Sequence, residues 1–152
     1  MNSIINLFLL IFFIAPVSLL FHEIGHAIGA KWMKVTTIHL TIGIGKTMWE
    51  GSLLNIQITI KKVFVFNSFT AMIGERPLQN KEKVFISLMG PIFSGILAFL
   101  LYLIYIAVPM STIYLFYLFN LWLVVINLFP FKIGQKQSDG YTIYKLLFKT
   151  NE

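Results

Sequence analysis

Residues 4–30 read IINLFLLIFFIAPVSLLFHEIGHAIGA, and this stretch decides what kind of molecule the chain can be. From Ile4 to Phe21 no side chain is charged, and helical continuity carries the run on to Ala30, where Lys31 and Lys34 mark an interface. At ~1.5 Å per residue such a helix is ~40 Å long, enough to cross the hydrocarbon and reach both headgroup layers. A cleavable signal peptide is the competing reading, but no Lys or Arg precedes residue 31 and no A-x-A signature follows the apolar run. The stretch is read as a retained span.

Two further runs complete the pattern. Residues 84–108 carry no charge, and residues 112–131 have only Asn120 and Asn127 as strong polar interruptions, with Pro109-Met110-Ser111 as a tight turn between them. Both exceed the ~18 residues of a spanning helix. Composition agrees: 57% of the 152 residues are hydrophobic and 12% charged, against roughly 45–50% and about 25% in a soluble domain. The chain has no cysteine, which excludes disulfides, thiolate metal sites and a cysteine nucleophile. Any metal must be held by His, Asp or Glu.

The net charge of +6 comes from 12 Lys and Arg against 6 Asp and Glu. Lys31, Lys34, Lys46, Lys61, Lys62, Arg76, Lys81 and Lys83 lie between the first two spans, and Lys132, Lys136, Lys145 and Lys149 follow the third. The other side has none, so the positive-inside rule puts the N-terminus outside and the C-terminus in the cytoplasm of a multi-pass cell-membrane protein. The basic surplus is then topological, and a nucleic-acid partner is not expected.

Within 31–83, Leu54, Ile56, Ile58 and Ile60 alternate with Asn55, Gln57 and Thr59, and Ile38, Leu40, Ile42 and Ile44 alternate with His39, Thr41 and Gly43. This period of two predicts a small antiparallel β layer over about 35–69, lying at the cytoplasmic interface or sheltered by helices, since a bare sheet edge cannot face lipid. The expected architecture is membrane α-helical, a single core over 1–152. Its spans are about 4–30, 84–108 and 112–131, with the β layer between the first and second and a tail at 132–152. Residues 141–149 are amphipathic enough to lie on the cytoplasmic surface.

The chemistry concentrates in His22-Glu23-Ile24-Gly25-His26, near the cytoplasmic end of the first span. Positions i and i+4 share a helix face, so His22 and His26 can hold one zinc ion, and Glu23 can orient and deprotonate the attacking water. A chance snorkelling of these groups is the bland alternative. It is weakened by the five residues, about 7.5 Å, that separate His26 from Lys31, because a glutamate inside that boundary costs a few kcal/mol unless paired or hydrated.

A catalytic zinc usually keeps three protein ligands and an open position. Of the other acids, Glu50, Glu75, Glu82, Asp139 and Glu152, the choice falls on Asp139, which precedes Gly140 in a loop that can fold back toward the first span. An ordinary Asp-Gly turn is the alternative there. His39, on a strand, reads as a solvated or hydrogen-bonded side chain. Gly90 and Gly95 read as positions of close helix approach, with Pro91 early in its span, and Asn127 as an interhelical hydrogen-bonding residue.

HEIGH in the first span, GPIFSG at 90–95 in the second, and NLFP at 127–130 followed by Asp139-Gly140 after the third resemble the site-2 protease family of intramembrane zinc metalloproteases. The resemblance runs in order over nearly the whole chain. It implies His22, His26 and Asp139 as ligands of Zn2+, Glu23 as the catalytic base, Asn127 near the substrate, and a β layer that pairs with an unwound substrate. Segments 35–44 and 54–60 are the expected pairing edges. Two departures stand out. Eight residues, Phe131 to Ser138, separate Pro130 from Asp139 where the family usually has four, and Ser94 stands where it often has asparagine. A longer surface loop is thermodynamically tolerable.

The implied activity is zinc-dependent intramembrane endopeptidase action near the cytoplasmic face. The implied partners are a single-pass membrane protein or membrane peptide as substrate and the lipid bilayer. The alternative is a catalytically inactive membrane module that binds or escorts membrane proteins.

Overall fold

The computed structural model describes residues 3–53, 56–73, 76–134 and 136–148. Leu54 and Asn55 of the expected strand, Glu75, Lys149 and Glu152 lie outside them.

The first span is α1 (Ser3–Leu9), a π-helical turn at Leu10–Ile14, and α2 (Ala15–Trp32), together one apolar rod over Ile4–Trp32. The wide turn has a local cause. Pro16 lacks an N–H and its ring crowds the carbonyl four residues back, so the preceding turn opens, and Ala15 N–H reaches Leu10 O instead. At the other end the helix closes in a Schellman motif, with Val35 N bonded to Ala30 O at 3.1 Å and Lys34 N to Lys31 O at 3.0 Å. Lys34 takes the left-handed position (φ 58°) that glycine usually fills. The reversal turns Val35 back onto the core and starts the sheet.

β1 (Thr37–Leu53) and β2 (Ile56–Ile73) are each long enough to bend and pair twice. Residues 37–42 lie between two segments of β2: 68–73 on one flank, with Thr37 opposite Ile73, and 56–60 on the other, with Ile38 opposite Ile56. Residues 49–53 close on 56–60 as a hairpin, Leu53 opposite Ile56. β1 bends between its two pairings at Gly43 and Gly45, whose φ values of 89° and 95° suit glycine. The order across the sheet is therefore 49–53, 56–60, 37–42, 68–73. The expected pairing edges, 35–44 and 54–60, are mostly interior; among the described residues the outer segments are 49–53 and 68–73. Alternation shows which face of a segment is buried, and it is silent on which segment ends up outermost.

Ile38, Leu40 and Ile42 pack with Ala27 and Ala30 of α2 and Ile86 of α3 to form the core between sheet and helices. Ile44, beyond the bend, is exposed, so the alternation fails there.

α3 (Asn80–Ala107) begins before the expected residue 84 because Gln79 and Glu82 form a capping box that Arg76 reinforces, its Nη1 donating to Glu82 Oε2 at 2.8 Å. Pro91 consequently lies well inside the helix rather than early in it. α4 (Ser111–Leu128) stops at Leu128, not 131, since Pro130 forces Phe129 into an extended conformation (ψ 127°). α2, α3 and α4 form the three-helix bundle, and Asn120 ties α4 to α2 by donating from Nδ2 to Ser18 Oγ at 2.9 Å in its interior.

The chain then forms a short ribbon, β3 (Lys132–Ile133) with β4 (Lys136–Gln137), and α5 (Asp139–Phe148) folds back onto α3. Gly140 fits against the Leu128 backbone, where a Cβ would collide with the carbonyl. Within the tail, residues 139–148 are helical, with Leu147 and Phe148 exposed.

Candidate metal centre

The close approach of α2 and α3 positions the site. A Cβ on Gly25 would overlap the Met89 carbonyl, and one on Gly29 would stand 2.8 Å from Met89 Cγ, so these two glycines, four apart, let the backbones meet. That G-x-x-x-G spacing is legible inside and just beyond the H-E-x-x-H stretch, though the metal motif draws the eye away from it. Opposite lies Gly90, where a Cβ would overlap His26 Nε2 and stand 2.8 Å from His22 Nε2. Gly90 is therefore part of the wall of the site, a tighter requirement than helix packing alone. Gly95 is different: the nearest atom to its Cβ would be Val124 Cγ2 at 3.7 Å, an ordinary contact.

Each imidazole is held through its Nδ1. His26 donates from Nδ1 to the Ile86 carbonyl at 2.8 Å, which fixes its tautomer and leaves Nε2 as the lone-pair nitrogen. His22 Nδ1 is 3.0 Å from the Ser94 hydroxyl, a fully buried group that can accept the same kind of bond. Sequence reading assigns Ser94 no part. The distance of 72 positions between the partners leaves no local signal.

Asp139 reaches the same point from the far end of the chain. Seven positions from Phe131, Ser138 donates its N–H to the Phe131 carbonyl at 3.0 Å, so the extra loop residues are looped out as the β3–β4 ribbon. Ser138 Oγ then caps α5 by accepting from Tyr141 N at 3.0 Å. Asp139 is thus the first residue of a helix and not a turn residue.

The result is three convergent ligands. His22 Nε2 lies 3.2 Å from His26 Nε2 and 3.1 Å from Asp139 Oδ2, and His26 Nε2 lies 3.3 Å from Asp139 Oδ1. Ligand atoms at zinc–nitrogen and zinc–oxygen distances around a tetrahedral ion stand about 3.3–3.4 Å apart. The three could therefore hold one such ion, with a fourth direction free of protein ligand among the described residues. Two imidazole lone pairs facing each other beside a carboxylate also make a donor set that suits a cation.

Glu23 points elsewhere. One residue on from His22, it turns toward the sheet, where Thr70 Oγ1 donates to its Oε2 at 2.7 Å and lies 3.3 Å from its backbone carbonyl. Thr70 too escapes sequence reading, for the same reason of long separation. Asn127, on the last turn of α4, donates from Nδ2 to the Leu123 carbonyl of its own helix at 2.9 Å, and this bond does not reach the other four residues. His39 lies on β1 outside the cluster. Glu82 is engaged by Arg76 and the α3 cap, and Glu50 is exposed on β1.

Among curated proteins, no sequence matches the chain. The profile of peptidase family M50 matches residues 7–113, which takes in the H-E-x-x-H turn, the sheet and Gly90 through Gly95 but stops short of Asn127 and Asp139. Asp139 joins the site on geometry. With that match over most of its length and three helices long and apolar enough to cross a membrane, the chain belongs to peptidase family M50, the site-2 protease family of metallopeptidases.

Proposed function

We propose that this protein is a zinc-dependent intramembrane endopeptidase that cuts a membrane-embedded protein or peptide near the cytoplasmic face. The observation that carries the reading is the convergence of His22, His26 and Asp139 on one point with no fourth protein ligand among the described residues. A closed structural site would more usually present a fourth protein ligand. Zinc held there supplies Lewis acidity, lowering the pKa of water and polarising the scissile carbonyl.

The chain's own groups do the rest. Glu23 takes the proton from the attacking water and delivers it to the leaving amine. Its side chain is buried, one residue on from His22, so its charge acts in a medium of low dielectric. A helical substrate hides its carbonyls in hydrogen bonds and must unwind, and an outer strand offers replacement partners by β-addition. Segment 68–73 suits that role, because it is outermost and Thr70 within it reaches Glu23. Asn127 serves on the substrate side, at the end of α4. Substrates are single-pass membrane proteins or membrane peptides, and the clustering of all Lys and Arg in 31–83 and 132–149 supports a cytoplasmic C-terminus. The inactive-module alternative draws its support from the long loop before Asp139. The β3–β4 ribbon takes up that length, so no observation favours it.

Zinc content and peptide hydrolysis of the purified protein test the reading. About one zinc per chain is expected in the wild type, with loss in His26→Ala and Asp139→Asn. Glu23→Gln should keep the metal and abolish cleavage; turnover in that variant would overturn the role of Glu23. Zinc retained in Asp139→Asn would move the third ligand elsewhere.

A further inference from the structure

The contact between the sheet and Glu23 extends the site beyond the metal. Thr70 lies opposite Leu40, in the outer segment of β2, and its hydroxyl donates to the Glu23 carboxylate at 2.7 Å. The same hydroxyl lies 3.3 Å from the backbone carbonyl of Glu23, so a single side chain touches both the helix and the acid it bears. Thr70 is half-buried, and its β-branched side chain has few rotamers, which makes the hydroxyl a stiff mount. Its cross-strand neighbour Leu40, only 1% exposed, lies on the same face of the sheet and packs in the core with Ala27 and Ala30 of α2, which anchors this part of the sheet against the helix.

From this geometry we infer that Thr70 is a positioning residue for the catalytic base, and that it makes the aim of Glu23 depend on the strand against which the substrate lies. The inference rests on the peptidase reading above. A chain added alongside 68–73 would run about 4.8 Å from that segment, so the scissile peptide is registered against the same strand that holds the base. Substrate and base then share one frame of reference. A carboxylate free to rotate would place its oxygens by the helix alone, while one held by Thr70 is placed by the sheet as well. Misplacing a catalytic group by about 1 Å can cost on the order of 100-fold in rate, so the expected effect falls on turnover rather than on binding.

The experiment compares wild type, Thr70→Val and Thr70→Ser in full-length, detergent-purified protein, with a fluorogenic transmembrane peptide as probe. Three quantities are read: zinc content, the Kd for the peptide in a Glu23→Gln background, and kcat with KM. Valine keeps the shape and β-branching and removes the donor; serine keeps the donor. Thr70→Val should retain its zinc and bind the peptide within about twofold of the Glu23→Gln parent, while kcat falls roughly 10- to 100-fold. Thr70→Ser should recover most of that loss.

Equal kcat in Thr70→Val and wild type would overturn the inference. So would a loss confined to KM, an equal loss in serine and valine variants, or loss of zinc from Thr70→Val, which would mark a residue that holds the fold. A wild type that binds zinc and cleaves no peptide would refute the peptidase reading and this inference together, whereas an active wild type beside an equally active Thr70→Val refutes only the latter.

Discussion

His22 and His26 look toward α3, where Gly90, Ser94 and the Ile86 carbonyl meet them; Glu23 looks toward the sheet, where Thr70 of β2 meets it. The helical flank is made of groups buried between packed helices, and none of them can shift without opening the bundle. The sheet flank is made by a hydroxyl on an outer strand whose far side has no strand partner among the described residues. In one turn of helix, the groups suited to hold a metal are set by close packing, and the acid suited to proton transfer is set by the element best placed to receive another chain. A metal site benefits from rigidity in its ligands and their outer partners. A base that acts on a bound peptide gains from being aligned with whatever aligns the peptide.

Breaking the helical flank should produce the largest effect. Gly90→Ala places a methyl over His26 Nε2 and 2.8 Å from His22 Nε2. Alanine favours a helix over glycine by up to ~1 kcal/mol, so a loss cannot be charged to the helix itself. Zinc affinity should fall by on the order of 100-fold or more, with cleavage lost alongside and helical content unchanged by circular dichroism. Full zinc occupancy in that variant would mean that the flank is softer than its packing implies.

Ser94→Ala is a smaller break in the same flank. It removes the hydroxyl beside His22 Nδ1 and leaves the ring free to turn, so zinc affinity should drop roughly 10-fold, within the range for outer partners of metal ligands. Competition with a chelator of known affinity measures it, and an unchanged affinity would show that packing alone orients His22. The smallest effect belongs to Gly95→Ala, in the same hexapeptide as Gly90. Its methyl would meet Val124 at 3.7 Å, so stability should stay within about 0.5 kcal/mol of wild type and zinc content should not change. A large effect there would return the whole hexapeptide to a packing role and erase the distinction between its two glycines.

The flanks also differ in how far they can be read in advance. His22, Glu23 and His26 sit within five positions, and helical geometry alone says which two share a face. Asp139 is reachable from its chemistry and from the Asp-Gly pair, although not its place at the start of α5. Ser94 is marked only as a departure from the asparagine often found there in the family, which gives it no role, and Thr70 carries no mark at all. Serine and threonine are common in spans and strands, and their value here comes from partners 72 and 47 positions away. The strand order illustrates the same limit, since alternation is right for Ile38, Leu40 and Ile42 and gives no hint that this stretch lies inside the sheet while 68–73 lies outside.

Properties that depend on near neighbours along the chain were settled by the sequence itself. These are the three apolar rods, the paired histidines on one helix face and the alternation of Ile38, Leu40 and Ile42. All follow from local sterics, hydrogen bonding or transfer out of water, which act over a few residues. Tertiary structure alone decided which strand is outermost, that Gly90 must lack a side chain while Gly95 need not, and that the ribbon returns Asp139 to the histidines. It also decided that Ser94 and Thr70 hold the two flanks. Those outcomes depend on the meeting of surfaces remote in sequence, where a few tenths of an ångström separate contact from collision.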